Sequence, residues 1–266
     1  MDDIRSIIWE ILESPLEDKK ITPPRIEMVE EYGDVDYDDI FTDVFILIKN
    51  LYDFYNQDVD FRATQLLESF LLESLILLKQ NPDITLVTSS PSHVKATAFT
   101  PEGDTATSIF NDAVEINSML EIYNDALLEN NLPKIEAGIG LSSYQSLQEE
   151  HHCHCESDED HQCNCGSDDN HDCECENDDS DEHSCGCHHH DDSDDFITDS
   201  DNLAERLALI ANTEGIDSIV VNEGFYGLVS DIVEIRTFFD DNFQKVVIEE
   251  EDIVIYHSNI VIDEKS

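Results

Sequence analysis

The sequence predicts an α+β protein. Apolar runs with strand-like patterning alternate with two long stretches of helical period, and that order is interrupted once, by an acidic segment that holds every cysteine. Charge adds a third observation: 63 Asp and Glu against 13 Lys and Arg give a formal net charge of −50 over 266 residues, while 40% of the residues are hydrophobic. That hydrophobic share suffices for a core, so the excess charge belongs in solvated segments.

The elements follow in order. Asp2 to Glu13 reads as a short amphipathic helix, with Ile4, Ile7, Ile8, Ile11 and Leu12 at helical spacing, and Pro23-Pro24 closes this region. The run Asp43 to Asn50 reads as a buried strand. Asp60 to Gln80 is a long helix whose broad apolar face suits packing on a sheet. Asn81-Pro-Asp83 ends it, and the runs Ile84 to Ser89 and Val94 to Thr100 flank Ser90-Pro-Ser92-His93 as a hairpin. Ala113, Ile116, Met119, Leu120, Tyr123 and Leu127 mark a second long helix, and Lys134 to Leu141 another strand. After the acidic segment, Asp201 to Ala211 opens an amphipathic helix and Ile219 to Val221 a short strand. Lys245 to Glu249 and Ile253 to Tyr256 are C-terminal strands, with Ile260 to Ile262 extending the last. Strand, helix, hairpin, helix, strand is the order of a ferredoxin-like sandwich, with helices on one face of a mainly antiparallel sheet.

A negative charge of this size opposes sequence-independent binding to the nucleic-acid backbone and docking on an anionic membrane, so no nucleic acid and no membrane partner is expected. The longest apolar helical stretch, Leu66 to Leu78, is interrupted by Glu68 and Glu73, and the chain opens Met-Asp-Asp without a basic leader. The expectation is a soluble, cytoplasmic protein.

The strand Glu136-Ala-Gly-Ile-Gly-Leu141, the helix Asn202-Leu-Ala-Glu-Arg206 and the element order resemble a class III nucleotidyl cyclase catalytic domain over about Asp43 to Ser230. The N-terminal approach and the tail Tyr256-His-Ser-Asn-Ile260 are more similar to the bacterial pyrimidine-cyclase branch involved in antiphage signalling than to adenylate cyclases. The resemblance implies two aspartates that hold Mg2+ or Mn2+ against a nucleoside triphosphate, and a site formed across a homodimer interface. Aligning Phe45-Ile-Leu-Ile48 with the family's Phe-x-Asp-Ile puts Leu47 at the first aspartate. Aligning Phe99 with the hairpin aromatic puts Ser92-His93 at Gly-Asp, or Pro91-Ser92 if the register slips by one. Both carboxylates are then missing, whereas Asn202 and Arg206 keep the Asn-x-x-x-Arg spacing that the family uses for ribose and transition-state phosphate. The resemblance therefore implies a degenerate catalytic site with Asn202 and Arg206 as its relic. A misalignment would leave Asp43, Asp53 and Asp104 as carboxylates of an active cyclase. The structural alternatives are a core residue for Leu47, an N-terminal cap with a solvated Arg for Asn202 and Arg206, and an exposed turn residue for His93.

The acidic segment carries the most specific pattern. His151, Cys153 and Cys155; His161, Cys163 and Cys165; His171, Cys173 and Cys175; and His183, Cys185 and Cys187 each spell H-x-C-x-C, and no Lys or Arg occurs between Lys134 and Arg206. Thiolate and imidazole suit Zn2+, Cu+ or Ni2+, and twelve such ligands suffice for about three four-coordinate sites. A solvated linker needs no cysteine, and a disulfide framework needs an oxidising compartment. Cys-x-Cys departs from zinc-finger spacing and suits shared-thiolate clusters that order only with metal. The expected organisation is an N-terminal helix and lead-in over 1–40, one domain over 41–147 and 199–266, and a disordered metal-binding insertion over 148–198. Metal sequestration is a further reading, with the fold as scaffold.

Overall fold

The computed structural model describes residues 2–13, 40–56, 60–99, 103–145, 201–239, 242–248 and 251–260. Helix α1 (Asp2–Glu13) matches its apolar period and buries Ile4 and Ile8 against the helical layer. Strand β1 (Ile40–Ile48) starts ahead of the expected Asp43, because Phe41 and Thr42 already bury their side chains. A short helix α2 (Tyr52–Tyr55) follows, then α3 (Phe61–Gln80), capped by the Asp60 carboxylate, which accepts from the Arg62 backbone N–H at 3.0 Å. Strands β2 (Ile84–Ser90) and β3 (His93–Phe99) form the expected hairpin. Helix α4 (Gly103–Glu129) leads to β4 (Ala137–Gln145), and Asn124 clamps the approach by bonding both backbone groups of Ile135.

Beyond the acidic segment come α5 (Asp201–Ile210), β5 (Ile219–Asn222), α6 (Glu223–Val229), α7 (Val233–Arg236), β6 (Phe243–Ile248) and β7 (Glu251–Ser258). Helices α2, α6 and α7 are too short to announce themselves by period. The strands form one sheet in the order β2-β3-β1-β4-β5-β7-β6, with β4 and β5 parallel and the other neighbours antiparallel. Ile260 lies past the end of β7, and Val261-Ile262 are outside the described residues.

The main core lies between one face of this sheet and α3, α4 and α6, where Val44 and Ile46 of β1 meet Leu66, Phe70, Ile109, Phe110 and Phe225. Tyr123 is wholly buried there, its ring edge-on to Phe70 at 5.8 Å and its hydroxyl 2.8 Å from Ser69, which satisfies the one polar atom that it brings inside.

Helix α5 departs from the one-face expectation and packs on the opposite face of the sheet. Gly138 and Gly140 present bare backbone there, and a Cβ at either would collide with the backbone of α5 at Ala208 or Ala204. Ala204 and Ala208 are likewise small and fully buried, so helix and strand close to backbone contact. Lys49 donates its ammonium to the Ala211 carbonyl at the C-terminal end of α5, where a cation is favoured by the helix dipole. Burial lowers the Lys49 pKa, with Glu136 opposing that shift.

Candidate functional site

Strand alternation sorts β1 into two sets. Val44, Ile46 and Ile48 enter the main core, while Phe41, Asp43, Phe45 and Leu47 lie on the face that carries α5. Pairing extends these positions into four rows across β3, β1 and β4: Phe99-Phe41-Tyr144, Thr97-Asp43-Ser142, Lys95-Phe45-Gly140 and His93-Leu47-Gly138. The first row is aromatic, with ring centroids 5.9 and 6.1 Å apart. In the second, Asp43 is fully buried, accepts from the Thr97 hydroxyl at 2.6 Å and lies 4.0 Å from the Lys95 ammonium.

The fourth row holds the two positions that the alignment assigns to metal aspartates. Leu47 and His93 are direct cross-strand partners. Leu47 is half-buried beside Phe45, Ala204 and Ala208. His93 differs from the exposed turn residue expected of it. Its ring stacks on Phe45 at 4.8 Å and is half-buried, and its Nδ1 lies 2.8 Å from Ser90 Oγ and 3.2 Å from Ser92 Oγ. Ser90 Oγ also accepts from the backbone N–H groups of Ser92 and His93, both at 3.2 Å, and lies 3.1 Å from Ser92 Oγ. Burial holds the His93 pKa below its usual value, Glu205 of α5 pulling it back up and Lys95 pushing it further down.

A divalent hard cation needs anionic or carbonyl oxygens. Leu47 has no donor atom and His93 offers ring nitrogen in place of oxygen, so these two side chains do not fit Mg2+ or Mn2+. Among the described residues no group of three or more His, Cys, Asp and Glu is placed to hold a metal ion. The three candidate carboxylates of the misalignment alternative, Asp43, Asp53 and Asp104, lie on three different elements, β1, α2 and α4. Asp43 lies five residues, about 16 Å of strand, before the end of β1, and Asp53 comes after that strand, in the first turn of α2. Asp104 opens α4, which packs on the other face of the sheet.

Asn202 and Arg206 both fall on α5, over β1 and β4. Nothing is described of the Asn202 side chain. Arg206 is half-buried, with its Nε shut off from solvent. The twelve repeat ligands, His151 through Cys187, lie outside the described residues. Sequence reasoning missed the row Thr97-Asp43-Ser142 and the serine brace on His93. The period-two spacing of Asp43, Phe45 and Leu47 was the available signal for the first; for the second there was none beyond the serines themselves.

No family model matches the chain. A protein from Treponema porcinum named uridylate cyclase is 24% identical over 106 residues, 40% of this chain, and the match spans 37% of that relative's length. Among solved structures, the guanylyl cyclase Cya2 superposes with a TM-score of 0.51 at 11% identity, covering 85% of this chain and 94% of its own. The adenylyl cyclase CyaB from P. aeruginosa gives 0.52 at 12% identity, with 85% and 95% covered. A bacterial light-regulated adenylyl cyclase gives 0.50 at 12% identity, with 84% and 91% covered. Among the described residues no helix is long and apolar enough to cross a membrane. With its helices on both faces of a β2-β3-β1-β4-β5-β7-β6 sheet, the chain has the fold of the adenylyl and guanylyl cyclase catalytic domains.

Proposed function

We propose that this cyclase-fold chain has lost the metal-dependent reaction and serves a regulatory or binding role, with the Cys/His segment as its metal-responsive part. One observation carries the reading: the two positions aligned with metal aspartates, Leu47 and His93, stand directly across from each other on β1 and β3. Two carboxylates there would be side by side. In their place are an aliphatic side chain and an imidazole already braced by Ser90. A nucleoside triphosphate brings several negative charges to a chain of formal charge −50, so its entry is opposed unless metal is held for it.

Asn202 and Arg206 are then a relic that holds ribose and phosphate weakly, in a homodimer as in class III cyclases. The residues His151, Cys153, Cys155, His161, Cys163, Cys165, His171, Cys173, Cys175, His183, Cys185 and Cys187 take up Zn2+ or another soft or borderline ion. They sit in an insertion, 148–198, of a domain made of 41–147 and 199–266, and reduced thiols fit a cytoplasmic protein. The likeness to the treponemal uridylate cyclase favours a second reading, an active cyclase that releases a cyclic nucleotide and pyrophosphate with Mg2+ or Mn2+. The third, metal sequestration, rests on the repeat alone. Equilibrium binding of nucleoside triphosphates with Mn2+, measured beside product formation, separates them: turnover supports the second reading, metal uptake with weak nucleotide binding and no turnover the first, and metal uptake with neither the third.

A further inference from the structure

We draw no further inference here: the strongest candidate, the groove between α1 and α4 where the exposed Trp9 stands with Asp125 and Glu129 above the buried Ile8, carries nothing, because it joins an apolar floor to an acidic pair and nothing among the described residues shows what covers it.

Discussion

Gly140 of β4 and Ala204 of α5 meet backbone to backbone, with no room between them for a methyl group. The contact repeats at Gly138 and Ala208, so the helix that carries Asn202 and Arg206 is seated by the absence of side chains. Gly140→Ala should therefore lower stability by about 1 to 3 kcal/mol, the range for overpacking a closed core. Urea denaturation of wild type and variant checks this. An unchanged midpoint would mean that α5 is not pressed onto β4.

Asp112 of α4 accepts a 2.5 Å hydrogen bond from Asn81, and burial lifts its pKa to about 6, the Asn81 bond opposing and Glu115 and Asp83 adding to the rise. A carboxyl whose folded pKa exceeds the unfolded value of about 3.9 binds its proton more tightly when folded. Its contribution is fully present below about pH 4 and is lost as pH rises through about 6. Asp112→Asn keeps an acceptor for Asn81 and cannot ionise. It should raise the denaturation midpoint relative to wild type at pH 8 and change it little at pH 4, and an equal change at both would contradict the burial of this carboxyl.

Much of this fold was legible because its period signals are strong. Helix α1 was read with the bounds that it has, and α3 and α4 show apolar faces over several turns. The hairpin followed from two β-patterned runs around Ser90-Pro-Ser92-His93, of which Ser90 and His93 already belong to the strands. Placement of α5 was not legible, since it depends on what Gly138 and Gly140 leave out, and a missing side chain has no periodicity. At the candidate site the alignment named Leu47 and His93 as a pair, yet the brace from Ser90 and the stack on Phe45 are tertiary and local geometry that residue types alone do not specify.

Deleting Gln148 to Asp195 and joining the ends with a short Gly/Ser linker should leave a cooperatively folding chain. Strands β4 and β5 pair in one sheet on either side of that segment, and loop length costs little entropy. Thermal unfolding followed by circular dichroism reads the result. A variant without a cooperative transition would make the segment part of the folding unit.

Zn2+ should bind the reduced chain at more than one ion per molecule, with release of protons, since thiols must ionise to ligate. Native mass spectrometry after loading at neutral pH measures the stoichiometry. Absence of retained metal while all eight thiols are free would contradict the metal reading.

Leu47 and His93 are the centre of the functional account, because a cyclase reaction needs metal-held phosphate charge at that row. Loss of one electrostatic contact of this kind typically costs roughly a hundredfold or more in rate, and the proposed reading, with Leu47 and His93 at the aspartate positions, removes two. The most direct measurement is a product assay on the wild-type chain with each of the four ribonucleoside triphosphates and Mn2+, beside the Arg206→Ala variant. The account predicts no cyclic nucleotide above background from either protein. Metal-dependent cyclic nucleotide formation by the wild type, abolished in Arg206→Ala, would contradict it and make this chain a working cyclase.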